Sequence, residues 1–567
     1  MGTDRLREIG RQRMGMGLLL VVVLILVFLH SLGPHLQSPF MASQDERHPL
    51  QEMVRFLHGE RPENLTRGPV YSLLLASTWT VTRGWLGAGD APLQALWWRH
   101  ADPGVLVKFM RSIQLKFLFF YLVILLLMGY ILGGWRNAYT ATVWAGLSSS
   151  LVHGSHTGLE DLLTALCSLA FLFCVLLFLQ SPRRGYSYVY WWLGCWCLGV
   201  GAAVKYNALW VGLAGLAPFL YEWRERPWRD WLYLTLGILS GLQAFAGSFF
   251  AWSWDVAHDY WTHLQLMSSV VFVTPDQRLT TFFWSRWRLE EWPLLFLAII
   301  GIGCLLYTMR RRRWFLDYTL LLAIAPAIVV SFVPGVRLHP HYFLPVWGPL
   351  VLLAAYGVWR APGAPILRWM LVFLVLVPLL DAWGIRIRSP RPQWQQTCEW
   401  IEGNIPSGTA IAYYPVDGVP PLRSEYDQAI LESLLPRLSP ALHKELLPLE
   451  DRPAYRAVPL VLYTRNPKVP PEFVPQADLD NPQNRRIFGT RWLFYHDLKR
   501  LGVEYVLFPA LLLNRWRSAP PIKRWSPAHY RWVTGRAHAL HLTDDPPFSV
   551  FHFFPDPHAP WVMMAVP

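Results

Sequence analysis

The sequence predicts a polytopic α-helical membrane protein, with about 11 transmembrane helices and a small C-terminal α/β domain outside the membrane. Three observations lead there. Of 567 residues, 53% are hydrophobic and 16% charged, with a mean hydropathy of +0.24, whereas a soluble domain carries about 25% charged residues. Apolar stretches near the roughly 20 residues needed to cross a bilayer recur through the first two thirds of the chain. The 31 tryptophans exceed what a soluble core uses and suit belts at membrane–water interfaces.

Spans are expected near residues 15–31, 105–132, 137–153, 160–180, 187–203, 205–222, 230–251, 292–309, 315–333, 341–358 and 365–384. The first runs into Gly17-Leu18-Leu19-Leu20-Val21 with no small-residue cleavage site after it, so it reads as an anchor rather than a removed signal. Arginines set the orientation. Arg5, Arg7, Arg11 and Arg13 hold the N-terminus in the cytoplasm. The connections expected inside then carry Arg136; Arg183-Arg184; Arg224, Arg226 and Arg229; Arg310 to Arg313; and Arg360 with Arg368. Every one is basic, and an odd number of spans places the C-terminus outside a cell inner (plasma) membrane.

The net charge of +13 could point to nucleic acid. Its placement in short loops between apolar runs excludes that partner and makes the bilayer the partner instead. Five of the six cysteines (Cys167, Cys174, Cys195, Cys197, Cys304) lie inside apolar runs, with Cys398 outside them, and no pair has zinc-finger spacing. No P-loop, nucleophile-elbow, HExxH or dinucleotide fingerprint occurs. Asn64-Leu65-Thr66 matches a glycosylation sequon, a triplet common by chance.

Three segments face outwards: 32–104, 252–291 with an amphipathic stretch from Asp255 to Val271, and the tail 385–567. The tail holds 26 of the 46 prolines. It mixes a helical stretch (Gln393 to Asn404) with strand-like runs at Ala410–Tyr414, Pro459–Tyr463 and Val503–Phe508. Residues 1–384 therefore form the transmembrane domain with its outer loop 32–104, and 385–567 the outer domain. No internal repeat or inverted half is visible.

Candidate chemistry collects on the outer side. Asp45-Glu46 opens a helical pattern whose Leu50, Met53, Val54 and Leu57 share one face, which fits a helix lying along the membrane surface. The two acids serve either chemistry or simply the first helical turn, where the dipole favours carboxylates. Glu160-Asp161 begins a span after His153-Gly-Ser-His-Thr-Gly-Leu159. That pair is either a water-facing cap or a functional group inside the bundle. Lys205, one of 7 lysines against 44 arginines, stands between two spans. A compact ammonium there suits a phosphate, and a snorkelling side chain equally well. Arg111 lies near the outer end of the second span. Arg337-Leu-His339-Pro-His341-Tyr342-Phe-Leu-Pro345 follows the ninth. His339 and His341 have no fixed third ligand for a metal, and fit better as hydrogen-bonding lining for an anion.

Taken in order, these positions resemble the GT-C membrane glycosyltransferases, specifically the family of protein O-mannosyltransferases and lipid A aminoarabinose transferases (glycosyltransferase family 39). Asp45-Glu46 is similar to the family's first-loop acidic motif, and Arg67-Gly68-Pro69-Val70-Tyr71 to its Pro-containing loop helix. Met110-Arg111-Ser112 resembles the arginine motif, Glu160-Asp161 the second acidic motif, Gly199 to Tyr206 the Gly-rich stretch ending in Lys, and His341-Tyr342-Phe-Leu-Pro345 the Tyr-x-x-Pro segment. Arg67-Gly68-Pro69 departs from the family by lacking a second proline or lysine.

The resemblance implies a GT-C-like fold, a polyprenyl-phosphate-linked sugar donor, a protein, lipid or glycan acceptor, and inverting transfer outside the membrane. It implies Asp45 as the base, with Glu46 and Asp161 beside it. It places the donor phosphate on Lys205, Arg111, Arg337 and Tyr342, and the sugar or acceptor on Glu160, His339 and His341. It fixes no cofactor and leaves room for a divalent metal, as in some relatives, without obligatory ligands in this sequence. Two other functions share the spans and the charge pattern: a transporter or flippase for a lipid-linked sugar, and a non-catalytic assembly subunit. Transporters more often show repeated halves, and a subunit would not need intact Asp45 and Lys205.

Overall fold

The computed structural model describes residues 17, 20–32, 47–60, 69–83, 104–180, 187–220, 227–250, 291–309, 315–331, 343–360, 364–388, 393–413, 422–437, 452–459, 461–464, 489–492, 495–509, 538–542 and 561–565. The chain divides into two units. The first comprises 1–36, 64–74 and 110–388, and the second 37–63, 75–109 and 389–567.

The first unit is helical. Its helices include α1 (Leu20–Ser31). The second unit's α2 (Arg47–Leu57) and the helix α3 (Val70–Arg83) follow in the chain. Next comes α4 (Gly104–Leu147), whose 44 residues would make a straight rod of about 66 Å. The chain instead reverses at Gly134, which adopts φ 72°. A Cβ on Gly129 would lie 2.8 Å from the Ala138 Cα, the Asn137 Nδ2 donates to Gly129 O at 3.2 Å, and Tyr130 stacks near Trp135. Two antiparallel helices therefore meet at a glycine-made turn, as the separate spans 105–132 and 137–153 anticipated. A side chain at Gly134 would strain the left-handed backbone that makes the turn.

After Ser148 the chain continues as α5 (Ser149–His156), α6 (Asp161–Gln180) and α7 (Ser187–Val204). The stretch expected as a sixth span is not a continuous α-helix. It is a 3₁₀ segment, Tyr206–Gly215, followed by the single turn α8 (Leu216–Leu220). Then come α9 (Trp228–Phe250), α10 (Trp292–Met309), α11 (Phe315–Ser331), α12 (Leu344–Arg360) and α13 (Pro365–Arg388).

Glycines set the closest approaches. A Cβ on Gly199 of α7 would sit 2.0 Å from Gly241 O of α9, and one on Gly301 of α10 would sit 1.9 Å from Leu353 O of α12. Backbones at that range leave no room for a methyl group, which is how small residues pack membrane helices. Trp191 and Trp192 of α7 donate their indole N–H groups to Leu234 O and Tyr233 O of α9, both at 2.8 Å. The core between the helices is apolar and aromatic, with Trp144, Phe171, Trp191 and Trp347 fully buried.

Outward faces are apolar as well. Leu24 and Phe28 on α1, Leu239 and Leu242 on α9, and Ile366, Phe373 and Val377 on α13 are exposed. In water such faces would aggregate, and a bilayer satisfies them. Among the described residues three helical stretches are long and apolar enough to cross a membrane: Leu106–Leu147, Asp161–Gln180 and Pro365–Gly384. Shorter apolar helices run over Leu20–Ser31, Val70–Thr82, Tyr206–Leu220, Trp292–Tyr307 and Thr319–Val329.

The second unit contains α2, whose Leu50, Met53 and Val54 are buried as expected, but Glu52 and Arg55 on its other face are buried too, so it is not the one-sided surface helix that the spacing suggested. Its C-terminal part opens with α14 (Gln393–Asn404) and β1 (Ala410–Tyr413). β2 (Arg423–Ser424), α15 (Glu425–Leu434), β3 (Ala454–Pro459), β4 (Val461–Thr464) and β5 (Gly489–Trp492) follow. The last elements are α16 (Tyr495–Arg500), β6 (Tyr505–Pro509), β7 (His538–Leu542) and β8 (Trp561–Ala565).

Six strands form one sheet in the order β2-β3-β1-β6-β8-β7. The first four are parallel, and β8 runs against them, pairing antiparallel with both β6 and β7. The expected strand across Pro459–Tyr463 is in fact two strands, because β3 ends at Pro459 in the large sheet while β4 pairs with β5 separately. Cys398, Ile401, Ile405, Ile411, Tyr455 and Leu507 form the small core between α14 and the sheet. Arg452 closes its edge on Glu402 at 2.6 Å.

Candidate active site

The first unit builds one buried polar cluster from three of the residues marked out in the sequence. Asp161 starts α6 and Lys205 directly follows α7; the two helices pack side by side and antiparallel, so these ends meet. Lys205 Nζ donates to Asp161 Oδ1 at 2.6 Å and stands 3.4 Å from Glu160 Oε1. All three side chains are at least nine-tenths buried. The Lys205 backbone is extended (φ −159°, ψ 130°), which breaks α7 and turns the ammonium towards the acids. Asp161 Oδ2 is buried with no hydrogen-bond partner among the described residues. Two carboxylates share one ammonium.

The loop before the acids is held from three sides. Gln114 of α4 donates through Nε2 to Leu159 O at 2.7 Å and to the Tyr71 hydroxyl at 2.6 Å. Tyr71 of α3 donates to Gly158 O at 2.9 Å. Met110 covers Gly158 so closely that a Cβ there would fall 1.9 Å from Met110 Cε. Arg111 is fully buried between these two contact residues of α4. On the far side of the loop, His30 of α1 donates through Nε2 to Gly146 O at 2.6 Å, and its Nδ1 lies 2.7 Å from Ser155 Oγ. Its ring meets that of His156 edge-on at 5.5 Å. Glu291, just before α10, accepts from the Ser150 N–H (2.7 Å) and hydroxyl (2.8 Å). That pairing places a carboxylate at the N-terminus of α5, where it suits the helix dipole.

The opposite end of this unit is cationic and aromatic. Arg136 follows the Gly134 turn and lies over the Trp359 ring at 5.4 Å, and Trp359 donates to Thr140 Oγ1. Arg360 lies over Tyr356 at 5.5 Å. Gln114 and Arg136 are separated by the first arm of the hairpin, about 30 Å at 1.5 Å per residue. The acidic cluster and the Arg136/Arg360 end are therefore a bilayer's thickness apart.

Thus Glu160, Asp161 and Lys205 come together and Arg111 is buried on the helix that holds their loop. Asp45, Glu46, Arg337, His339, His341 and Tyr342 lie outside the described residues, as does the amphipathic stretch 255–271. Gln114, His30 and Glu291 were not singled out in the sequence. Each is a polar residue in or beside an apolar span, which was the signal that would have found them. Among the described residues no three metal-ligating side chains converge.

No protein-family model matches the chain, and neither does any curated protein. Solved structures do. The chain is similar to ArnT from Cupriavidus metallidurans bound to undecaprenyl phosphate, with a TM-score of 0.47 and 13% identity over 97% of both chains. It is similar to the oligosaccharyltransferase AglB from Archaeoglobus fulgidus in complex with an inhibitory peptide and a dolichol-phosphate, with a TM-score of 0.47 and 13% identity over 88% of this chain and 69% of that one. It is also similar to the mycobacterial arabinofuranosyltransferase AftD, with a TM-score of 0.40 and 16% identity over 98% of this chain and 40% of that one. These structures are GT-C glycosyltransferases.

Proposed function

We propose that the protein transfers a sugar from a polyprenyl-phosphate donor to an acceptor hydroxyl at the outer face of a cell inner membrane. The carrying observation is the buried Lys205–Asp161–Glu160 cluster, found where two spans end on the side opposite the Arg136/Arg360 end. Charged groups this deep among spans mark functional sites. Their order along the chain, with Asp45, Arg111 and Tyr342, is that of the resemblance drawn from the sequence.

The chemistry is a single displacement, which inverts the anomeric centre. Asp45 takes the acceptor's proton as its oxygen attacks the anomeric carbon, and the polyprenyl phosphate leaves on the opposite face with the bonding electrons. Lys205, with Arg111, Arg337 and Tyr342, stabilises the departing phosphate. Asp161 and Glu160 hold the ammonium in place beforehand, so little reorganisation accompanies the charge shift. Glu46 supports the base, and Glu160, His339 and His341 orient the sugar or acceptor. Eleven spans with a cytoplasmic N-terminus, a catalytic domain over 1–384 and an outer domain over 385–567 complete the reading.

The test is transfer by the purified chain from a panel of undecaprenyl-phosphate sugars, read as release of undecaprenyl phosphate. Asp45→Asn should lower turnover by about 10²–10⁴-fold while leaving donor binding intact. A folded Asp45→Asn protein with wild-type turnover removes Asp45 as the base. Movement of the intact donor across vesicles without release would replace transfer with transport.

A further inference from the structure

Gln114 is a fully buried amide inside the first arm of α4, a place where apolar residues pack best. Its hydrogen-bond directions are fixed. Leu159 O can only accept, and the Tyr71 hydroxyl gives its proton to Gly158 O, so both partners need a donor from Gln114. The amide nitrogen therefore faces them, and Oε1 is left buried with no hydrogen-bond partner among the described residues. A half-satisfied amide in an apolar helix is a standing penalty, so its two donated bonds ask for an explanation beyond packing.

One bond ends directly on Leu159 O, and the other reaches Gly158 O through the Tyr71 hydroxyl, so the pair holds two consecutive peptide carbonyls immediately before Glu160-Asp161. On the other side, Thr164 fixes Glu160 O through its N–H (3.0 Å) and its hydroxyl (2.9 Å). The peptide planes on both sides of Glu160, the second of which joins it to Asp161, are thus pinned, and Met110 removes the freedom Gly158 would otherwise have. We propose that Tyr71 and Gln114 are positioning residues that hold the Gly158–Leu159 backbone so that Glu160 and Asp161 meet Lys205 in reactive geometry. This rests on the transferase reading for its catalytic consequence but not for its structural one.

The test uses the full-length chain in detergent with Tyr71→Phe, Gln114→Met and Gln114→Glu. The first two keep shape and lose donors; the third keeps shape and presents only acceptors to two oxygens. Hydrogen exchange is followed at the amides of 157–164, with a distant peptide in α12 as the reference. Each variant should exchange faster in 157–164 and unchanged in α12, with Gln114→Glu the fastest. On the donor that the undecaprenyl-phosphate panel selects, kcat should fall about ten- to a hundredfold, as sub-ångström to 1 Å displacements of catalytic groups do. KM for that donor should stay within about twofold. Wild-type exchange in all three variants overturns the proposal, as does a change in KM alone. Faster exchange in a protein that releases no undecaprenyl phosphate from any donor keeps the clamp and discards the transferase.

Discussion

Charge balance in the Lys205 cluster makes the sharpest prediction. The ammonium is within 2.6 Å of Asp161 and 3.4 Å of Glu160, with side-chain exposures of 9%, 2% and 2%. Removing one partner of so buried a pair leaves an uncompensated charge and costs about 3–5 kcal/mol. Lys205→Met removes the ammonium from two neighbouring buried carboxylates at once and belongs at the upper end. Asp161→Asn keeps the Lys205–Glu160 contact and removes only one carboxylate, and belongs below it. Combining the two removes the ammonium together with the carboxylate it contacts most closely, so the double variant should be more stable than Lys205→Met by about 1–3 kcal/mol. Reversible SDS titration followed by tryptophan fluorescence measures all four proteins. Strict additivity, or a Lys205→Met protein as stable as wild type, would refute the burial and the pairing together. The same series guards the functional experiment, because loss of donor binding in Lys205→Met is informative only beside a Lys205→Arg protein that keeps the charge.

Three further outcomes follow from the packing and the charge pattern. Gly199→Ala should destabilise by about 1–3 kcal/mol in the same titration, because its methyl meets the rigid Gly241 carbonyl, whereas Gly158→Ala should cost less, since the Met110 tip it meets can swing away. Reporter fusions after Arg184 and Arg312 should read cytoplasmic and one after Asp480 should read outside; an outside signal at Arg312 would reverse the register. Burial pushes the Tyr455 hydroxyl up from about 10 to about 12. Its stabilising contribution should be complete below pH 10 and decline as the pH rises from 10 to 12, where the unfolded chain ionises first. Alkaline unfolding of Tyr455→Phe should lack that segment of the pH dependence, and an unchanged profile would disprove it.

Apolar helices were legible because hydrophobic periodicity and length are local properties written residue by residue. Glu160-Asp161 and Lys205 stood out for the same reason, as charges at the ends of apolar runs. The helix Gln393–Asn404 was readable from its own pattern, as were the cores of β1 and β6. The break at Pro459 was not, because which strand a residue pairs with is settled by partners far along the chain. The 3₁₀ path of Tyr206–Gly215 was equally hidden, since hydropathy does not report backbone pitch.

What the sequence determined alone was the two-ended distribution of charge, basic at Arg136 and Arg360 and acidic at Glu160-Asp161. Only the tertiary structure decided that Lys205 and those acids neutralise one another, because nothing local specifies that the end of α7 meets the start of α6. The same holds for Gln114, Tyr71, His30 and Glu291. A lone polar residue in an apolar span announces a cost, but its partner is chosen by helix packing across 43 to 141 residues of sequence.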